Sequence, residues 1–195
     1  EVESDGYLTA FREATGIWFG GGRQWRFADA YLDTKAYDLM HEVLRRGGVI
    51  MGSSAGASIQ GGYLARANPL GNRDIMAEGY ERGMGFLPGV AIDQHFAQRK
   101  RFKDMSSLVD TYPQLLGIGV DEGTALVVRG EVGEVTGKAQ VHFYDRRKPV
   151  EEGQADYESV AAAGRYDLVK REILDPGKLP ATKKAKDQPE AAPKP

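Results

Sequence analysis

Apolar residues recur along residues 34–46 at the spacing of one helical face: Ala36, Leu39, Met40, Val43 and Leu44. Asp33 or Thr34 offers an N-cap, and Gly47 a C-terminal stop. Two short unbroken apolar runs flank this helix, at residues 15–19 and 48–51, and their length predicts buried strands. Leu8, Phe11 and the alanines around them predict the end of an amphipathic helix ahead of the first strand. Strand, helix, strand in this order predicts parallel pairing through a right-handed crossover.

Residues 64–85 mix polar residues and glycines without a period and predict an irregular surface excursion. Beyond it, residues 85–93 predict a strand, 98–110 a helix, and 116–120 and 124–128 two further strands. Residues 131–144 alternate with Gly interruptions, which predicts an antiparallel hairpin. The resulting fold class is α/β: a mostly parallel, doubly wound sheet with a C-terminal antiparallel hairpin.

The 195 residues, 41% hydrophobic and 28% charged, suit one domain with a sizeable core over residues 1–175. Residues 176–195 are rich in Pro, Lys and Ala and predict a disordered tail. A net charge of -2 gives no footprint for nucleic acid, and Arg99-Lys100-Arg101 is too short to be a binding stripe. No apolar run suggests a membrane span. Without cysteine there is neither a thiolate nucleophile nor a zinc–thiolate site, so hydrolytic chemistry falls to Ser, Asp, Glu and His. No cofactor or metal is called for.

The sharpest local signal is Gly52-Ser53-Ser54-Ala55-Gly56, a G-x-S-x-G pattern between a strand and small, helix-compatible residues. Such a turn exposes the central hydroxyl, here that of Ser54, and the first N–H groups of the following helix, Ala55 foremost, can face an oxyanion. The plain alternative is a strand-to-helix turn with good caps. Three more predicted strand ends present Gly20-Gly21-Gly22, Asp93-Gln94-His95 and Asp121-Glu122, and open parallel sheets gather functional groups at such ends. Of the three histidines, His41 reads as a dipole partner on a helix and His142 falls in the hairpin. His95 alone follows a core strand. Glu122 is preferred to Asp121 as its carboxylate partner, although strand alternation alone does not choose between them.

Taken together, Trp18-Phe19-Gly20-Gly21-Gly22-Arg23-Gln24, Gly52 to Ala57, Asp93 to Arg99 and Gly119 to Leu126 resemble, in order, the four motif blocks of the cyanophycinase and aspartyl dipeptidase family of serine peptidases. The resemblance implies a flavodoxin-like, class I glutamine-amidotransferase-like fold and a Ser-His-Glu triad of Ser54, His95 and Glu122. It implies Gly21 and Ala55 as oxyanion donors, and Gln24, Asp93, Gln94, Arg99 and Arg101 as substrate-binding residues. The expected activity is hydrolysis of α- or β-linked aspartyl peptide bonds through an acyl-enzyme. An esterase using the same triad and a non-catalytic binding domain remain the alternatives.

Two features depart from the family pattern. Arg23 stands where an acidic residue commonly precedes the glutamine, and Asp104 stands where a further arginine is expected. The resemblance also implies an additional strand and helix segment ahead of the first strand, which is expected to lie outside this chain. The expectation is a small peptide substrate, a separate N-terminal polypeptide that completes the fold, and a homodimer of the assembled unit.

Overall fold

The computed structural model describes residues 4–179. Helix α1 (Asp5–Glu13) leads to β1 (Gly16–Phe19), α2 (Gln24–Tyr31), α3 (Lys35–Arg45) and β2 (Val49–Gly52). Thr34 caps α3, its side chain accepting from the Tyr37 N–H at 3.2 Å. Helix α2 is absent from the predicted elements, although Ala28, Tyr31 and Leu32 recur at helical spacing. β1 and β2 pair in parallel, Phe19 opposite Gly52. One face of this two-stranded sheet, with Phe19, Ile17 and Ile50, packs with Leu8, Ala36 and Met40. On the other, Trp18, Val49 and Met51 are exposed.

From β2 the chain turns through the four-residue α4 (Ala55–Ser58) into β3 (Gly61–Tyr63). β4 (Leu87–Gln94), α5 (Phe102–Thr111) and β5 (Leu116–Val120) follow, with β3, β4 and β5 mutually parallel. Helix α5 starts later than predicted, because residues 96–100 form turns and Lys100 takes φ 55°.

The antiparallel part is larger than one hairpin. β6 (Thr124–Arg129) and β7 (Val132–Gly137) form the hairpin around Gly130, whereas β8 (Gln140–Asp145) leaves β7 and lies antiparallel to β5. The predicted pairing within 131–144 therefore gives way to two different partners. Residues Val141 to Asp145 are all buried, a burial that a peripheral hairpin would not provide. β9 (Glu158–Ala161) extends the sheet beside β8, and β10 (Arg165–Asp167) and β11 (Glu172–Asp175) join β7 and β6 in a four-stranded sheet. The two larger sheets enclose Ile92, Ile118, Val135, Phe143 and Tyr166, with the rings of Phe143 and Tyr166 stacked at 3.7 Å. This is a mixed α/β fold with parallel strands at its centre.

The 64–85 excursion is irregular but not superficial, a correction to the predicted surface path. Leu64, Ala65, Ala67 and Met84 are fully buried, and the Leu64 and Arg66 N–H groups donate to Glu81 and Ile75 carbonyls. Of the predicted tail, Pro176 and Lys178 hydrogen-bond to Ala161 and Ala162, and residues 180–195 lie outside the described residues. Among the described residues no helix is long and apolar enough to cross a membrane.

Candidate active site

Parallel register fixes one side of the site. Because Phe19 lies opposite Gly52, the loop after β1 runs beside the turn after β2, and the Ser53 N–H donates to the Phe19 carbonyl at 3.2 Å. The turn is tight enough to require glycine. A methyl group on Gly56 would collide with the Phe19 and Gly20 carbonyls, and one on Gly52 with the Gly56 carbonyl. Ser54 sits at φ 53° and ψ -120°, a strained conformation for a residue with a side chain. Gly21 adjoins it: a methyl there would touch the Ser54 Cβ at 3.6 Å. Among the described residues, neither the Gly21 N–H in the loop after β1 nor the Ala55 N–H at the start of α4 donates to a backbone acceptor in another part of the chain.

The other side comes from β4 and β5. Gln94 lies opposite Val120, so the residues just past each end, His95 and Asp121-Glu122, emerge next to one another. The Phe96 N–H donates to the Val120 carbonyl at 3.2 Å, and the Phe96 ring occupies space that a methyl on Gly119 would take. His95 itself is at φ 53°. The Gln98 side chain accepts from the Glu122 N–H at 2.9 Å, which fixes the second turn against the first.

These elements bring three side chains into line. Ser54 Oγ lies 3.1 Å from His95 Nε2, and His95 Nδ1 lies 2.7 Å from Glu122 Oε1. An ionised carboxylate can only accept, so Nδ1 carries the proton and Nε2 is left to accept from the serine hydroxyl. His95 is 26% exposed and Glu122 53%. Chemically, the array can draw the proton from a hydroxyl as that oxygen attacks an electrophile.

Asp121 faces the opposite way. Its carboxylate accepts from the Ala97 N–H at 2.9 Å and the Gln140 N–H at 3.4 Å, and lies 3.4 Å from His142 Nε2. Burial pushes its pKa up, but His142 and the two N–H donors outweigh that and hold it below the ordinary value. His142 in turn reaches the Ser159 hydroxyl at 2.8 Å, so Asp121 ties the site turns to β8 and β9.

The remaining predicted site residues separate into engaged and open ones. Asp93 is fully buried. Its two oxygens accept from Arg66 Nε at 2.8 Å and Arg101 Nη1 at 2.6 Å. Arg101 Nη1 also donates to the Gln94 carbonyl at 2.7 Å, and burial lowers the Arg101 pKa against the opposing pull of Asp93. Gln24 is buried, its amide donating to the Ala65 carbonyl at 2.7 Å. Gln94 Oε1 is buried and has no partner among the described residues. Arg99 is exposed, and its charge is felt at Arg101. Among the described residues no three His, Asp or Glu side chains converge as a metal-ligand set.

Arg66 is the residue that sequence reasoning missed. It is 3% exposed and reaches Asp93, Asp104 at 2.6 Å and the Arg73 carbonyl at 2.6 Å. The available signal was Asp104, an acid in place of an expected arginine, which calls for a cation from elsewhere in the chain.

Comparison with known proteins agrees with this architecture. The chain is 31% identical over 152 residues to a cyanophycinase of Synechococcus elongatus, a match covering 75% of this chain and 47% of that protein. It is 32% identical over 148 residues to the cyanophycinase of Geminocystis herdmanii, covering 73% and 54%. The chain thus spans about half the length of the curated relatives it matches. The crystal structure of a peptidase from an acI-B1 Actinobacterium shares the fold, with a TM-score of 0.63 at 24% identity over 85% of this chain and 64% of that one. The model of peptidase family S51 matches residues 3–136, which include all three aligned side chains. This chain belongs to peptidase family S51.

Proposed function

We propose that this chain carries the catalytic centre of a serine peptidase that hydrolyses peptide bonds at aspartyl residues. The observation that carries the reading is the unbroken relay from Ser54 Oγ through the His95 ring to Glu122, at 3.1 and 2.7 Å. In the proposed reaction His95 Nε2 takes the Ser54 proton as Oγ attacks the carbonyl carbon. The Ala55 and Gly21 N–H groups hold the resulting oxyanion, a contribution of about 3–4 kcal/mol per donor. His95 then returns the proton to the leaving amine, and the acyl ester is cleared by a water deprotonated at the same nitrogen. Glu122 stays charged and holds the ring in the required tautomer.

Aspartyl preference is supported by the relatives named cyanophycinase and by a group beside the relay. Arg99 presents an exposed guanidinium able to take a substrate carboxylate.

A fluorophosphonate probe and a panel of α- and β-aspartyl dipeptides test the reading. Labelling of the native protein that is lost in Ser54→Ala, together with turnover of at least one aspartyl dipeptide, is the expected result. Ester hydrolysis without any aspartyl-peptide turnover would replace the peptidase by an esterase, and absence of labelling would remove the hydrolase.

A further inference from the structure

The relay crosses a seam. Ser54 and Gly21 lie at the ends of β2 and β1, whereas His95 and Glu122 follow β4 and β5, and among the described residues no strand pairing joins these two sheets. The covalent route across is α4, four residues long, running into β3. A second route is the start of the 64–85 excursion. Its Ala65 carbonyl accepts from Gln24, and its Asn68 and Pro69 carbonyls accept from Arg23 at 3.3 and 3.2 Å. Both donors directly follow the Gly20-Gly21-Gly22 loop. From the same stretch Arg66, at φ 57°, sends its guanidinium the other way, to Asp93 and Asp104.

We propose that Arg66 is a positioning residue, which sets the Ser54–His95 separation by strapping the Gly20–Gly22 side of the site to the β4–α5 side. This rests on the reading of Ser54 and His95 as nucleophile and base. The guanidinium is planar, and its Nε, Nη1 and Nη2 point at three separate pieces of chain: the end of β4, the Asn72–Arg73 turn and the first turn of α5. Asp93 passes the constraint on, because Arg101 binds both its carboxylate and the Gln94 carbonyl one residue before His95. A flexible or smaller side chain at 66 leaves Asp93 with one cation and detaches the strap from Asp93 and Asp104 on the β4–α5 side, while its carbonyls stay bonded to Arg23 and Gln24. The reacting groups then keep their own scaffolds but lose their common frame. Misplacement by a fraction of an ångström lowers the rate of bond formation more than the affinity for a ligand.

The test uses the full chain, fluorophosphonate labelling and two substitutions. Arg66→Met is expected to lower the maximal labelling rate by about 10- to 100-fold with the half-saturating probe concentration unchanged. Arg66→Lys, one point charge in place of a fork, should recover only part of it. A folded Arg66→Met chain with an unchanged maximal rate, or with only the half-saturating concentration raised, overturns the proposal. If Arg66→Met does not fold, Asp104→Asn carries the test, since Asp104 is half-exposed. A smaller fall in maximal rate is expected there and no change overturns the proposal. Nitrogen-15 NMR of the His95 ring separates this outcome from failure of the catalytic reading. Ser54→Ala should shift the Nε2 signal in the native background and shift it less in the Arg66→Met background. An equal shift in both backgrounds overturns the strap even in a chain that no probe labels.

Discussion

Single side chains at the elbow carry two separable demands. Gly52 and Gly56 are there for space, and Ser54 for its hydroxyl. Gly56→Ala drives a methyl into backbone carbonyls that cannot rotate away, so thermal unfolding should show a loss of about 1–3 kcal/mol or more. Glu122→Gln should behave in the opposite sense. The side chain is half-exposed, so the melting temperature should hardly move, while fluorophosphonate labelling should fall by about 10³–10⁴-fold because the amide favours the wrong imidazole tautomer. The elbow and His95 were legible in the sequence because each is local: a strand, a polar end, a pattern of small residues. The choice between Asp121 and Glu122 was not local. It depends on His142 and Gln140, three strands later in the chain, taking one of the two carboxylates.

Among the elements, those with a clean period were the ones readable beforehand. Helix α3 shows its apolar face and its cap in the sequence, and β1, β2, β4 and β5 show as apolar runs. Pairing between strands distant in sequence leaves a weaker trace, so β8 was assigned to its neighbour instead of to β5. The buried excursion was hidden for a related reason. Its small residues carry no period, and its burial is a consequence of what surrounds it. The junction of β4 with α5 yields a sharp expectation. Asp93→Ala leaves Arg66 and Arg101 buried without their shared anion, and denaturant unfolding should register a loss of about 3–5 kcal/mol. β1 gives another. Trp18 is 61% exposed, whereas Trp25 is packed against the first core, so Trp18→Phe should remove most of the acrylamide-quenchable emission.

For the whole molecule, acid is the informative perturbation. Asp121 and Asp145 are both buried, which raises their pKa values, but donors overcome that and hold both below the ordinary carboxylate range. For Asp145 the donors are chiefly Arg171 and Arg147. A carboxylate with a depressed pKa in the folded state stabilises fully above its unfolded value, and that contribution is lost as pH falls through the folded one. Stability should therefore hold through neutral pH and decline below about pH 4, and Asp145→Asn should flatten the decline in a pH series of thermal melts. The seam between the sheets reaches further than stability. It makes the site an adjustable joint between two halves, and evolution can turn such a joint without rebuilding either side. Laboratory selection for altered substrates should accordingly collect its early substitutions in residues 67–73, leaving Arg66, the serine, the histidine and the glutamate untouched.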